Sequence, residues 1–265
     1  MARVDLDLYE SKVKSYELIS RASEILERDE EVQELLRMSN IFAVSRLRYN
    51  DHGPVHARIV SGAALEIFDL LISSGIQPTS LRDRTTSTVD EARLIVFLGA
   101  YLHDIGNSIH RSNHEMLGAI ISRGIVDRIL GELMIRGRKA ISIRQEILHA
   151  IYSTEYSVKC LSVEAGIVKI ADGTDMSMGR ARIPYKMGKI DMHSMSALSV
   201  KSVDIERGSS RPVRIVVTMN DYAGLFQIEE VLMPKIMTSL LEDHIEVWIQ
   251  IEGKLSQYYP TMKTL

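Results

Sequence analysis

The sequence predicts a mainly α fold, with a helical bundle over residues 1–195 and a small C-terminal α+β subdomain over residues 196–265. Two observations predict it. Apolar residues recur with a period of about 3.6 through most of the first two thirds of the chain, and this period changes to 2 after about Ser196. A chain of 265 residues, 45% of them hydrophobic, can also bury a complete core. We therefore expect one large domain with an appendage.

The first helices are predicted from apolar periodicity and from one proline. Residues 13–26 indicate one long amphipathic helix, and residues 32–44 indicate a second one with a break near Ser39. Pro54 predicts the start of the next helix, because its fixed φ suits the first helical turn and its missing donor costs nothing there. His56 then lies in that first turn.

The helix that follows has a recognisable beginning and end. Thr88 with Glu91 matches a capping box in front of an apolar stretch, and Gly106 is a candidate left-handed stop residue. This apolar stretch is too short to span a membrane, which takes about 20 residues, and it predicts a buried helix. His103 and Asp104 then lie in its last turn.

Three further helices carry polar residues of interest. Asn113 is a candidate N-cap for a helix that begins with His114, and another helix carries His149. Ser162 is a candidate cap for a helix that carries Asp172. The first two thirds of the chain therefore bring several histidines and acids onto helices.

The C-terminal part predicts a small β-β-α-β unit. Residues 213–219 and 245–251 alternate between apolar and polar, as strands with one buried face do, and a first strand is predicted near residues 200–205. Residues 228–241 indicate a helix between the last two strands. The sequence leaves open whether this unit completes the core, forms a dimer edge or shapes the mouth of a site.

Composition excludes several classes of protein. With Cys160 alone no intramolecular disulfide can form, which favours a reducing compartment. The charged N-terminus lacks the apolar region of a secretory signal, so we expect a cytoplasmic protein without a membrane partner. The net charge of −3 lacks the basic excess of a nucleic-acid binder. A small anionic substrate and a homodimer remain compatible with the sequence.

The arrangement of histidines and acids resembles a known family. His56, then His103 and Asp104 in the phrase LHDIG, then Asp172 in the phrase IAD, are similar to the H…HD…D signature of the HD superfamily. Members of that family are helical, metal-dependent phosphohydrolases. The phrases NDHGPVHARIV, HDIGNSIHRSNHE and VKIADGTDMSMGRARIP resemble a subgroup common in archaea and some bacteria.

The resemblance implies a metal centre with His56, His103, Asp104 and Asp172 as its core ligands; a helix cap or a satisfied core residue is the alternative for each. Mixed imidazole and carboxylate ligands suit Mn, Fe, Co, Ni or Zn, as one ion or two. Relatives that bind two metals add two histidines between the HD pair and the last aspartate.

In this chain the match assigns His114 and His149 to those two positions. The chain departs from the pattern at Thr154, where such relatives often have histidine, and His149 lies one turn earlier. Asn107 stands where some HDIG-containing relatives carry lysine, and the GYP element is absent. The cyclic-dinucleotide specificity of that branch is therefore not implied.

Other residues are candidates for substrate binding and catalysis. Arg180 and Arg182 follow the last ligand and are candidate phosphate clamps, since a guanidinium matches phosphate oxygens bidentately, although a solvated basic loop is an equal alternative. Asp175 could support a ligand or a phosphate-binding arginine. His52 and His110 could reach the substrate or orient the ligands, and a capping or solvated role is an equal alternative for both.

The predicted reaction is attack of metal-activated water on the phosphoryl group of a nucleotide or related small phosphorylated metabolite. Asp104 would hold the metal and accept a proton, with His110 as a further catalytic candidate, and Arg180 would offset charge on the phosphoryl oxygens. Two other functions remain open: a di-iron oxygenase with six ligands, and a regulatory module that binds a nucleotide without turnover.

Overall fold

A computed structural model describes residues 1–177 and 192–260 of the chain. The structure confirms a mainly α fold with a small α+β appendage. The helices are α1 (Leu6–Ser15), α2 (Glu17–Arg28), α3 (Glu30–Asn40), α4 (Pro54–Ser73), α5 (Thr79–Arg82), α6 (Val89–Leu102), α7 (His114–Glu132), α8 (Gly137–Tyr152), α9 (Val163–Thr174) and α10 (Met192–Ser199). Within the described residues, no helix is both long and apolar enough to cross a membrane.

The appendage is built on a five-stranded sheet in the order β1-β2-β3-β4-β5. Its strands are β1 (Ala2–Arg3), β2 (Val200–Arg207), β3 (Val213–Met219), β4 (Ile245–Ile251) and β5 (Lys254–Tyr259). Strands β3 and β4 are parallel, and the other neighbours are antiparallel. The predicted β-β-α-β unit is confirmed, whereas β1 and β5 were not predicted. Two residues are too few to show a period, and β5 is at most half-buried.

A helical stretch of residues 225–237, which we call the crossover helix, connects the parallel strands β3 and β4. It consists of α11 (Leu225–Gln227), a π-helical segment (Ile228–Leu232) and α12 (Met233–Met237). A parallel pair of strands needs such a crossover connection. The predicted helix at residues 228–241 is therefore present, shifted by a few residues towards the N-terminus.

The prediction of one long first helix was wrong, because the chain turns extended at Tyr16 (φ −135°, ψ 116°) between α1 and α2. The Tyr16 hydroxyl donates to Oδ2 of Asp69 at 2.7 Å, and the Arg93 guanidinium lies 3.8 Å from the centre of its ring. These contacts come from distant parts of the chain. A periodicity read from neighbouring residues therefore cannot show the break.

Several predicted helix ends are confirmed. Pro54 is the first residue of α4, and the side chains of Thr88 and Ser162 accept hydrogen bonds from the backbone N–H groups of Glu91 and Ala165, both at 3.1 Å. The predicted cap at Asn113 was wrong: the residue precedes α7 in a left-handed conformation (φ 60°), and its side chain makes no capping hydrogen bond.

The hydrophobic core has two parts, and α6 contributes to both. One part joins α4, α6 and α9 to the sheet, with Phe68, Val168 and Ile215 among its buried residues. The other joins α2, α6, α7 and α8, with Phe97 and Ile129 among its residues. Every residue from 94 to 102 is buried, as predicted for the apolar stretch. The buried end of α6 therefore lies deep in the bundle.

Two glycines of α9 let the crossover helix and the residues just after it approach closely. A Cβ atom at Gly166 would lie 2.1 Å from the carbonyl oxygen of Ser239, and one at Gly173 would lie 3.1 Å from Cδ of Lys235. The two glycines are seven residues apart and therefore share one face of α9. This glycine face, Gly166 and Gly173, seats the C-terminal subdomain next to the end of α9.

Candidate metal centre

The end of α6 presents His103 and Asp104 in fixed orientations. The carbonyl oxygen of Ala100 can only accept a hydrogen bond, so Nδ1 of His103, 2.8 Å away, carries the hydrogen and donates it. The lone pair of His103 Nε2 is then available to a metal. Asp104 accepts a hydrogen bond from Nδ2 of Asn107 at 2.9 Å, on its Oδ1 atom.

Gly106 positions the next element of the site. A Cβ atom at Gly106 would lie 1.9 Å from the carbonyl oxygen of His114 and 2.5 Å from the nitrogen of Gly118. The φ of Gly106 is not positive, so the prediction of a left-handed stop was wrong. Glycine is needed here because the start of α7, with His114, packs directly against the backbone that follows His103 and Asp104.

Donor atoms of three predicted ligands lie within 3.4 Å of Nε2 of the fourth, His56. Nε2 of His56 lies 3.3 Å from Nε2 of His103, 3.3 Å from Oδ1 of Asp172 and 3.4 Å from Oδ2 of Asp104. Nε2 of His103 lies 3.5 Å from the same two carboxylate oxygens. Ligand bonds of about 2.0–2.2 Å around one ion separate neighbouring donor atoms by about 3–3.5 Å. The donor set and its spacing therefore fit a divalent transition metal, with ligation by each residue still a prediction.

The surroundings keep both carboxyl groups ionised. Burial alone would raise the pKa of Asp104, but the neighbouring His52, His103 and His114 hold it well below its usual range. Burial would also raise the pKa of Asp172, and here the Lys235 ammonium and His103 hold it well below the usual range. An ionised carboxylate is the form that binds a metal.

Residues adjacent to the four donors orient them. Oδ2 of Asp175 lies 2.6 Å from Nδ1 of His56, which directs Nε2 of that imidazole towards the other donors. Nδ1 of His52 lies 2.6 Å from Oδ2 of Asp104, and these two residues form a second group of possible metal donors with His56. Nε2 of His114 lies 3.4 Å from Oδ1 of Asp104. Asp175 and His52 therefore contact the predicted ligands directly.

Other predicted site residues are not brought to these donor atoms. His149 is half-buried, and its Nε2 accepts the backbone N–H of Leu161 at 3.1 Å. His110 is exposed, and its Nδ1 accepts the backbone N–H of Ser112 at 2.9 Å. Both are engaged locally, which their sequence positions alone could not reveal.

The candidate phosphate clamps Arg180 and Arg182 lie outside the described residues. Thr154 is buried and lines the cavity above the donors. This is the position where relatives with two metals often have a histidine.

A cavity of about 800 Å³ opens above the donor atoms. Asp104 and Asp172 form part of its floor, and Tyr49, Arg111 and Tyr156 lie on its wall. A volume of this size is typical of a small-molecule site. The cavity therefore gives a substrate direct access to the predicted metal ligands.

Two cations of this cavity, Arg111 and Lys235, were not predicted as site residues. Arg111 follows His110 directly, and only the histidine had been singled out. Lys235 interrupts an apolar stretch of the C-terminal subdomain, VLMPKIM, and this isolated charge was a usable signal. It is 4% exposed, and its Nζ lies 2.5 Å from Oδ2 of Asp172.

One family model and one relative match this chain. The sequence model described as HD domain matches residues 56–177, a range that begins at His56 and includes Asp172. An uncharacterized protein of Methanocaldococcus jannaschii is 42% identical over 225 residues, which cover 85% of this chain and 86% of the relative. No solved structure matches the chain with significance.

Proposed function

This chain belongs to the HD domain family, a superfamily of metal-dependent hydrolases, and we propose that it hydrolyses a phosphate ester of a nucleotide or related small phosphorylated metabolite. One observation carries the proposal: the clustered donor atoms of His56, His103, Asp104 and Asp172 lie below an open cavity whose wall carries Arg111. Metal donors and a cation next to one cavity are what phosphoryl chemistry needs.

His56, His103, Asp104 and Asp172 would hold the metal, and their mixed nitrogen and oxygen donors suit Mn, Fe, Co, Ni or Zn. When bound, such an ion supplies Lewis acidity, which polarises a phosphoryl oxygen and lowers the pKa of a coordinated water to about 7. We expect Mn²⁺ or Co²⁺ to support activity. The residues around the donors then have to bind the phosphate and handle a proton.

Arg111 is the residue best placed to bind the phosphate. It is half-buried at the cavity wall, where Nη1 donates to Oδ1 of Asn107 at 3.2 Å and lies 3.1 Å from Nε2 of His114. Neither contact is a carboxylate, so much of the guanidinium charge remains for an anion. A guanidinium also matches two phosphate oxygens at once.

Two tyrosines support a nucleotide as the substrate class. Tyr49 and Tyr156 line the cavity and remain 40% and 39% exposed. The Arg111 guanidinium lies 5.9 Å from the ring centre of Tyr49, so an aromatic surface and a cation occupy the same wall. Stacking of a base on such a ring contributes about 1–3 kcal/mol and tolerates any base.

His52 and Asp104 can handle the proton of the reaction. Their Nδ1 and Oδ2 atoms are 2.6 Å apart, and both residues line the cavity. Because Asp104 stays ionised, the imidazole of His52 is the member of the pair that would carry the proton, and the carboxylate would stabilise the resulting charge. This pair takes the role for which His110 had been a candidate.

The placement of His149 weighs against the six-ligand di-iron alternative. That arrangement needs two histidines besides the core ligands, and within the described residues His114 lies near Asp104 whereas His149 is bonded to a backbone N–H group elsewhere. No observation favours a nucleotide-binding module without turnover. Hydrolysis is the function with the most support.

The test combines metal reconstitution with a substrate panel. Metal-free protein is loaded with Mn²⁺, Co²⁺ or Zn²⁺ and assayed for phosphate release from nucleotides and other phosphomonoesters, and for cleavage of phosphodiesters. We expect metal-dependent turnover that is lost in His103→Ala and Asp104→Ala and kept in His244→Ala, a histidine outside the cavity. Turnover that survives loss of His103 and Asp104 would exclude this site, and a metal-loaded protein that turns over no phosphate ester would exclude the function.

A further inference from the structure

Lys235 of the C-terminal subdomain forms an ion pair with one of the predicted metal ligands. Lys235 lies on the crossover helix, outside the residues that match the HD domain, and its Nζ is 2.5 Å from Oδ2 of Asp172. The same ammonium lies 3.4 Å from the carbonyl oxygen of Thr154 and 4.6 Å from the ring centre of Tyr156. Three contacts therefore fix the position of the charge.

The two oxygens of Asp172 face different partners. Oδ1 lies 3.3 Å from Nε2 of His56 and 3.5 Å from Nε2 of His103, on the side of the predicted metal. Oδ2 faces Lys235. With one oxygen held by an ammonium, the carboxylate cannot rotate or present both oxygens to an ion without losing a charge-assisted hydrogen bond, which is a strong one.

Two further residues of α9 lie next to the contact between Lys235 and Asp172. Gly173, next to Asp172, leaves room for the Lys235 side chain, whose Cδ would be 3.1 Å from a Cβ atom at that glycine. A second buried lysine, Lys169 of α9, donates to Oγ1 of Thr238 at 2.7 Å and to the carbonyl oxygen of Val158 at 2.5 Å. Lys169 thus ties α9 to Thr238, the residue directly after the crossover helix.

Stability alone is a weak reason for this arrangement. Removing two charges from water costs several kcal/mol, and apolar residues of similar size often replace a buried ion pair without loss of stability. This ion pair joins Asp172, one of the four predicted ligands, to Lys235. Among the described residues of the C-terminal subdomain, Lys235 alone forms an ion pair with a predicted ligand. A role at the metal centre explains its position.

We propose that Lys235 is a positioning residue of the metal centre: it holds Oδ2 of Asp172 so that Oδ1 stays directed at His56 and His103. The C-terminal subdomain thereby completes a centre whose ligands all come from the helical part. The inference rests on the metal centre of the proposed function, and it does not depend on the substrate.

The test measures binding of Co²⁺ alone to the full chain, by calorimetry and by the visible absorption of the bound ion. We expect Lys235→Met to weaken Co²⁺ binding about 10- to 100-fold, the usual effect of removing a residue that orients a ligand, and to alter the absorption spectrum. Lys235→Arg should recover part of the affinity. Thr238→Val is the matched control, because it removes the hydrogen bonds of the Thr238 hydroxyl in the same interface, including the one from Lys169, without touching Asp172. It should keep wild-type Co²⁺ affinity.

Three results would overturn the inference. One is a folded Lys235→Met variant with wild-type Co²⁺ affinity and spectrum, including the case in which only the KM for a phosphate ester rises. Another is an equal loss of affinity in Thr238→Val, which would indicate a general effect of the interface. If Lys235→Met does not fold, Lys235→Gln replaces it in the test. The third overturning result would then be wild-type Co²⁺ binding by Lys235→Gln. If the wild-type protein binds Co²⁺ but hydrolyses no phosphate ester, the proposed function is wrong. The comparison of Co²⁺ affinities between wild type and the Lys235 variants remains valid in that case.

Discussion

Replacement of Gly166 by alanine tests the close approach between α9 and the residues that follow the crossover helix. The new Cβ atom would lie 2.1 Å from the backbone carbonyl oxygen of Ser239, so one of the two elements must move by roughly 1 Å. Overpacking of this kind costs about 1–3 kcal/mol. Alanine in place of glycine within a helix gains about 0.8–1 kcal/mol, so the net destabilisation is up to about 2 kcal/mol.

Gly124→Ala isolates the cost of the clash. Gly124 lies within α7, is exposed, and has no heavy atom near the position of an added Cβ atom, so this variant receives the helical gain without the clash. We expect Gly166→Ala to unfold in urea with a free energy about 1–3 kcal/mol below that of Gly124→Ala. Its Co²⁺ affinity should fall as well, because the shift moves Lys235 relative to Asp172. Equal unfolding free energies of the two variants would refute the reasoning.

Three further changes have defined outcomes. Burial would raise the pKa of Glu246, but hydrogen bonds from Ser210 and Arg214 lower it to about 2. Glu246→Gln should therefore reduce the unfolding free energy by about 1–3 kcal/mol at neutral pH, because solvent screens part of the charge interaction. The pKa of Glu246 is lower in the folded than in the unfolded protein, so the stability difference between wild type and Glu246→Gln should shrink as the pH falls from about 4.5 towards 2. A stability difference that does not change with pH would contradict this prediction. Arg111→Met should raise the KM for a phosphate ester about 10- to 100-fold with a smaller change in kcat, as loss of a hydrogen bond to a charged group does, and an unchanged KM would exclude Arg111 as the phosphate anchor. Gly106→Ala should lower the urea midpoint and weaken Co²⁺ binding, since the added Cβ atom pushes against the backbone of α7; wild-type values for both would show that the backbone relaxes freely.

Local features of the chain were predicted well because their causes are local. A proline at the first turn of α4 and a hydroxyl at the start of α6 or α9 act on backbone groups within a few residues. The same holds for strands β3 and β4, whose alternation reflects one buried face of a sheet. The failure at Asn113 shows the limit, since the residue type fits a cap but the backbone there is left-handed.

The mainly α fold, the order of most of its elements and a set of histidines and acids that resembles a family signature could be predicted from the amino-acid sequence. Which of these residues meet is visible in the folded chain alone: Asp175 contacts His56, while His149 accepts a hydrogen bond from a backbone N–H group away from the other donors. The fold also brings Lys235 to Asp172, 63 residues apart in the chain. Contacts of this kind depend on how helices pack across glycine faces, and no short-range pattern of residues encodes that packing.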